Sequence, residues 1–158
     1  MIVGVGNPLR GDDSVGLELA TLAAARADPS LIAVRKHAGE TLALIEQLDG
    51  YEAALLADAL HGGGAPGSVH RFDLSEQPLP GRLGSSSSTH AVGIAEAIEL
   101  ARALGRLPGR VVVYGVEGAS FHAGSPLSAP VRAALPGLAT ALLEEARTLA
   151  LAPPGARR

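Results

Sequence analysis

Cysteine is absent from this chain of 158 residues. Disulfides, thiolate metal ligands and a cysteine nucleophile are therefore excluded, which leaves histidine and carboxylate side chains for any metal chemistry. Tryptophan is also absent, and the chain has only two tyrosines and two phenylalanines. So few aromatic rings do not supply a platform on which nucleic-acid bases stack.

Strong charge and long apolar runs are lacking as well. The net charge is -3 and no basic cluster is present, so the sequence does not have the cationic surface that nucleic acid requires. No apolar run reaches the roughly 18 to 20 residues that cross a bilayer, and the N-terminus begins in a strand without a charged leader region. We therefore expect a cytoplasmic protein with no membrane insertion and no nucleic-acid partner.

Apolar residues make up 47% of the chain and recur in alternating strand and helix patterns. Strands are predicted at residues 1–3, 31–34, 53–57, 68–73 and 111–114, and helices at residues 15–27, 42–48, 90–104 and 128–149, the last interrupted at Pro136. Strand–helix–strand units are right-handed and place helices on both faces of a parallel sheet. The prediction is a single three-layer α/β domain over residues 1–152, with a mostly parallel twisted sheet of about five strands, followed by a disordered tail at 153–158.

The glycine-rich segment GVGNPLRGDDSVG, residues 4–16, is predicted to be a turn from the first strand into the first helix. It differs from a dinucleotide fingerprint because Leu9 occupies the third glycine position and because Lys36 and His37 stand where a ribose-binding acid is expected. The phosphate-loop Lys-Ser or Lys-Thr pair is also missing after Gly11. The glycines therefore predict a close turn and no nucleotide cofactor, with a nucleotide-binding Rossmann-like module kept as a minor alternative.

Polar residues lie where two predicted strands and one predicted helix meet the same edge of the sheet. Asp12 and Asp13 follow the first strand, Asp58 follows the third, and His90 opens a later helix. The carboxyl ends of parallel strands share one edge, where α/β proteins build their sites. An acid before a helix typically caps it, so at least one of Asp12 and Asp13 is expected to be an N-cap. Carboxylate and imidazole donors suit zinc, nickel, manganese or a bound water.

The remaining polar residues favour ordinary roles. Four histidines, His37, His61, His70 and His122, are interpreted as surface residues. Glu117, which ends the last predicted strand at the same edge, is a candidate for the site, but a solvated loop residue is the favoured interpretation. The serines at 85–88 lie in a loop that is expected to be mobile, and they are a weaker nucleophile candidate because no aspartate-oriented histidine base can be assigned beside them.

Residues 4–16 resemble the N-terminal signature of the hydrogenase maturation proteases, which runs Gly-x-Gly-Asn and then a pair of acids. The resemblance continues through LADA at 56–59, THAVG at 89–93, YGVE at 114–117 and LSAPV at 127–131, and so covers nearly the whole chain. It implies a metal-binding, aspartic-type endopeptidase that removes the C-terminal extension from the nickel-loaded precursor of a nickel–iron hydrogenase large subunit.

The same resemblance assigns roles residue by residue. Asp13, Asp58 and His90 correspond to the family's metal-recognising and catalytic triad, and Asp12 is then the cap or turn residue. The nickel is implied to arrive with the substrate, so no resident metal is required. HAGE at 37–40 departs from the Asp-Gly-Gly-Thr that many members carry, which bears on which hydrogenase is processed. The alternative is a non-catalytic assembly factor that senses the metal.

Overall fold

A computed structural model describes residues 1–75 and 89–152, with the backbone alone for residues 89–92. The expected tail at 153–158 and the serines at 85–88 lie outside the described residues.

Strands and helices alternate along the described chain as the apolar pattern predicts. A short 3-10 turn at Gly11–Ser14 joins the first strand to the first helix. The elements are β1 Ile2–Val5, α1 Val15–Ala24, β2 Val34–His37, α2 Thr41–Leu48, β3 Ala53–Leu60, β4 Val69–Asp73, α3 Thr89–Ala103, β5 Arg110–Glu117 and α4 Ala129–Leu151.

The five strands form one sheet in the order β2-β1-β3-β5-β4. The first four strands in that order are parallel, and β4 pairs antiparallel with β5 at the edge. The strands β3 and β5 are almost wholly apolar because helices cover both of their faces. The predicted α/β fold with a mostly parallel five-stranded sheet is confirmed.

Two apolar cores lie on opposite faces of the sheet. Alternate strand residues such as Leu55 and Val112 pack with α1 and α4 on one face. Their neighbours Leu56 and Val113 pack with α2 and α3 on the other. Since side chains alternate along a strand, Asp58 lies on the α2/α3 face, two residues beyond Leu56.

Most predicted strand bounds differ by a few residues from those of the structure, and the largest shift and the one that moves a site residue are in β2 and β3. β2 begins three residues later than expected, because the amides of Leu31 and Ile32 bond to the carbonyl of Asp28 in a turn. β3 extends to Leu60, so Asp58 lies within the strand and not after it.

The predicted interruption of the last helix at Pro136 is wrong, since α4 is continuous from Ala129 to Leu151. Proline removes one helical amide bond, and here its ring lies on the exposed side of the helix. Leu135 and Leu138 on either side of it are buried in the core, which holds the helix together across this point.

Within the described residues, no helix has both the length and the apolar character that a membrane crossing requires.

Candidate functional site

The 3-10 turn places Asp12 and Asp13 at the carboxyl edge of the sheet, where both side chains are buried. Backbone hydrogen bonds fix the turn: the amide of Asn7 donates to the carbonyl of Asp13 at 3.1 Å, and the amide of Asp13 donates to Arg10 at 3.1 Å. The turn also packs directly against β3, the strand that carries Asp58.

Glycines in the opening segment permit this close packing. A β carbon on Gly16 would lie 2.2 Å from the carbonyl oxygens of both Val5 and Ala57. A β carbon on Gly6 would lie 1.9 Å from the carbonyl oxygen of Asp13. Protein backbone therefore fills the space beside these glycines, which explains their presence without a bound phosphate.

Asp12 holds the connection between β5 and α4. Its Oδ2 accepts hydrogen bonds from the amides of Ala119 at 2.7 Å and Ser120 at 3.0 Å, and its Oδ1 accepts one from Ser128 at 2.7 Å. The expected cap on α1 is wrong, because the N-cap position is Ser14, which makes no side-chain cap bond. Asp12 therefore has the structural turn role, but across the sheet edge and not at its own helix.

Asp58 is 3% exposed and pairs in register with Gly115 of β5. Burial raises the pKa of Asp58 well above its usual range; the amide of Ala59 lowers it, and the nearby negative charge of Asp13 raises it further. Its Oδ1 has no hydrogen-bond partner among the described residues. A buried carboxylate oxygen in this state is suited to accept a cation.

Asp13 and Asp58 lie near each other, because the turn that carries Asp13 packs against β3, the strand of Asp58. Accordingly, the negative charge of Asp13 raises the pKa of Asp58. His90 is the second residue of α3, the helix that covers the α2/α3 face on which Asp58 lies, but its side chain is outside the described part of the structure. Among the side chains that are described, no three His, Asp or Glu residues are arranged to hold a metal ion. Asp13 and Asp58 therefore lie near each other at the sheet edge, and the assignment of Asp13, Asp58 and His90 as a triad stays a prediction.

Two residues that were expected at the surface are buried at this edge. His37 is 5% exposed because its register beside Val5 turns it toward the α2/α3 face. Glu117 is 5% exposed; its Oε2 accepts the amide of Gly62 at 3.0 Å, and its Oε1 lies 3.5 Å from Nε2 of His70. Side chains alternate between the two faces of a strand, so the burial of His37 and Glu117 could have been predicted from the sequence if the strand pairing had been known.

The other three histidines, His61, His70 and His122, are exposed as expected. His61 stacks on Phe121 with ring centroids 4.9 Å apart. His61 directly follows the end of β3, and Phe121 lies in the connection that follows β5.

The fold and the site together define the class of protein: a doubly wound α/β domain with the buried acid pair Asp13 and Asp58 at the carboxyl edge of its sheet. The model of the HycI family, described as hydrogenase maturation protease, matches residues 38–145. The chain belongs to this family of endopeptidases.

Solved structures show the same fold. The hydrogenase maturating endopeptidase HybD from E. coli is 23% identical with a TM-score of 0.78, covering 93% of this chain and 91% of that one. A hydrogenase 2 maturation peptidase from a Thaumarchaeota archaeon is 28% identical with a TM-score of 0.67, covering 91% and 95%. The [NiFe] hydrogenase maturation protease HybD from Thermococcus kodakarensis is 22% identical with a TM-score of 0.68, covering 92% and 97%. No curated protein sequence matches the chain significantly.

Proposed function

We propose that this protease removes the C-terminal extension from the nickel-loaded precursor of a nickel–iron hydrogenase large subunit. Asp13, Asp58 and His90 recognise the nickel, which is part of the substrate and is not a resident cofactor. We place the reaction in the cytoplasm.

The observation that carries the proposal is the pair of buried acids. Asp58 is almost fully enclosed, has an oxygen without a hydrogen-bond partner among the described residues, and lies within the field of Asp13. Two carboxylates this close repel each other when both are ionised, and a divalent cation between them removes the repulsion. The donors are oxygen and nitrogen with no thiolate, a set that binds nickel through carboxylate and imidazole.

His90 is the third donor of the proposed set. It is the second residue of α3, whose buried residues Ile94 and Ile98 pack on the α2/α3 face together with Leu56. Because the C-terminal end of α3 leads into the start of β5, its N-terminal end faces the carboxyl edge of the sheet, which supports this assignment.

Holding the substrate's nickel fixes the polypeptide beside it. The precursor's scissile bond is then presented in one orientation, and positioning of this kind supplies a large part of the rate of an enzyme. Hydrolysis adds one water across the bond: the hydroxyl goes to the carbonyl carbon and the proton to the leaving nitrogen.

The test is cleavage of purified nickel-loaded precursor, followed by intact mass measurement of the shortened subunit. We expect cleavage by the wild type, none with precursor that lacks nickel, and at least about a 100-fold loss of rate in Asp13→Asn, Asp58→Asn and His90→Gln.

The matched control for the aspartate variants comes from an exposed aspartate. Asp28→Asn replaces a side chain in the turn that follows α1, away from the acid pair, and is expected to keep the wild-type rate. Full cleavage by any of the three site variants contradicts its assignment. Binding of the precursor without any cleavage by the wild type would instead support an assembly factor.

A further inference from the structure

Asn7 lies at the carboxyl edge of the sheet, two residues beyond the end of β1, and is bonded directly to the turn that carries the acids. Its backbone amide donates to the carbonyl of Asp13 at 3.1 Å. The pairing of Gly4 with Ala57 places the next residue of β1 level with Asp58 on β3. Asn7 therefore lies beside Asp13, at the end of the strand that neighbours the strand of Asp58.

The side chain of Asn7 is half-buried and held in one orientation. Its Oδ1 accepts the amide of Leu9 at 2.9 Å, and because an N–H donates only to the oxygen of a side-chain amide, this bond also fixes the direction of Nδ2. The backbone carbonyl of Asn7 is bonded too, since it accepts the amide of Arg10 at 3.3 Å. Among the described residues Nδ2 has no acceptor, so its two N–H groups are open donors.

The turn by itself does not require asparagine. Two other turns have the same bond from a side-chain oxygen to the amide two residues on, and both use aspartate. Asp28 bonds the amide of Ser30 at 2.9 Å, and Asp73 bonds that of Ser75 at 3.2 Å. Asn7 is the only asparagine of the chain. Compared with aspartate, it supplies an uncharged side chain with an N–H donor.

Hydrolysis of a peptide bond uses a donor of this kind. When water adds to the carbonyl carbon, the second electron pair of the C=O bond moves to the oxygen. This oxygen stays negative until the C–N bond breaks and the carbonyl forms again, with the proton on the leaving nitrogen. Ionised carboxylates do not stabilise that charge, because they only accept hydrogen bonds. A fixed amide N–H does, and the loss of one such donor typically lowers kcat about 100- to 1,000-fold.

Arg10 is another donor on this turn, and its contacts direct it to the other side of the sheet. Its Nε donates to the carbonyl of Phe121 at 3.4 Å, and Phe121 packs against the core on the α1/α4 face. Asp58 lies on the α2/α3 face. Asn7 is therefore the better placed donor for a peptide bond that is held at the acid pair.

We propose that Nδ2 of Asn7 donates a hydrogen bond to the carbonyl oxygen of the scissile peptide bond and stabilises the negative charge that this oxygen gains in the transition state. Asn7 is then a further catalytic residue, in addition to the three that hold the nickel. This inference rests on the proposed function, in which the acids position the bond, and it adds a group that acts on the bond itself.

The test is cleavage of the nickel-loaded precursor by Asn7→Ser and Asn7→Asp. Both side chains keep an oxygen that can accept the amide of Leu9, so the turn is retained, but neither presents an N–H in place of Nδ2. We expect kcat to fall about 100-fold in both variants, with KM and precursor binding within about threefold of the wild type. Because Asn7→Ser adds no charge, a loss in both variants separates the missing donor from a new repulsion with the acids.

Asp28→Ser is the matched control, because it changes the same kind of turn away from the acids and is expected to keep kcat and KM. Rates are measured well below the melting temperature of each variant, so that an unfolded fraction does not contribute. The inference is overturned if Asn7→Ser keeps kcat within about threefold of the wild type, if only Asn7→Asp loses activity, or if the loss is confined to KM and binding.

The same assay separates this role from the proposed function. If Asn7→Ser cleaves as the wild type does while Asp58→Asn does not, the proposed function stands and the role of Asn7 falls. If the wild type cleaves the precursor equally with and without nickel, the recognition of nickel falls, and a lowered kcat in Asn7→Ser still supports its action on the peptide carbonyl.

Discussion

Two buried aspartates at the sheet edge, Asp12 and Asp58, have opposite surroundings. Asp12 receives three backbone amides, and although burial raises its pKa, the bonds from Ser128, Ala119 and Ser120 outweigh that effect and lower it. In Asp58 burial prevails, and the pKa is raised. The number of backbone amides that donate to each carboxylate accounts for the opposite directions of the two pKa shifts. An acid whose lone pairs are occupied by amides holds the chain in place, whereas an acid without such donors is suited to a cation.

Replacing Asp12 with Asn tests the structural role of the residue. The amide group of asparagine presents a donor where the carboxylate accepted one, so at least one buried amide of the β5–α4 connection loses its partner. An unsatisfied buried donor costs about 1–3 kcal/mol, and we expect Asp12→Asn to lower the free energy of unfolding by about 2–3 kcal/mol in chemical denaturation.

Asp28→Asn is the matched control for Asp12→Asn. Asp28 also accepts an amide hydrogen bond, from Ser30 at 2.9 Å, but it is exposed to solvent, so water replaces a lost partner. We expect a much smaller change. Equal stability of Asp12→Asn and wild type would show that the three amides find other acceptors.

At the scale of the elements, the close contact of α1 with the sheet sets the position of the site. Gly4 on β1 faces Gly16 on α1, and a β carbon on Gly4 would lie 1.9 Å from the carbonyl oxygen of Gly16. The helix can therefore approach the strands more closely than ordinary side chains allow. The close approach of α1 places the turn that contains Asp13 against β3, the strand that contains Asp58.

Gly16→Ala is expected to break this contact. The added methyl would overlap the carbonyls of Val5 and Ala57, which are fixed in the sheet, so α1 must shift outward. Overpacking of this kind costs about 1–3 kcal/mol, and we expect a loss near the upper end of that range in the free energy of unfolding, with a loss of precursor cleavage as Asp13 moves away from Asp58.

Gly137→Ala provides the opposite case within the same protein. Gly137 lies in α4, and a β carbon there would meet no atom within 4 Å. Alanine favours the helix over glycine, so this variant is expected to gain about 0.5–1 kcal/mol in stability and to keep its activity. A stable and active Gly16→Ala would contradict the helix-approach argument.

At the scale of the whole molecule, the alternation of apolar strands and amphipathic helices was sufficient to predict the fold. Residues 53–57 and 111–114 are continuous apolar runs, as doubly covered strands require, and the shared edge of parallel strands brought Asp13 and Asp58 together. The burial of His37 and Glu117 was missed because it depends on register between strands distant in sequence. The start of β2 was missed because the turn at Asp28 takes up the amides of Leu31 and Ile32.

One long-range cluster joins the edge strand to the last helix. Nη2 of Arg71 on β4 donates to Glu145 on α4 at 2.6 Å, and its Nε donates to the same carboxylate at 3.1 Å. The hydroxyl of Tyr114 on β5 also donates to Glu145. Burial and this bond to Glu145 raise the pKa of Tyr114 to about 12. The antiparallel strand β4 is thereby tied to the parallel part of the sheet by more than its backbone pairing.

This cluster predicts a pH dependence of stability. Burial raises the pKa of Glu145, but the hydrogen bonds from Arg71 and Tyr114 outweigh it, so the folded pKa lies below the ordinary value of 4.5. A lowered folded pKa means that the contribution is complete above about pH 4.5 and is lost as the pH falls through the folded pKa. Because the pair is partly exposed and screened, we expect Glu145→Gln to cost about 0.5–1 kcal/mol at pH 7 and less at pH 3, measured by chemical denaturation. The control is Glu96→Gln, a substitution at an exposed glutamate. If the loss of stability in Glu145→Gln were the same at both pH values, the charge of the Glu145 carboxylate would not be what holds β4 against α4.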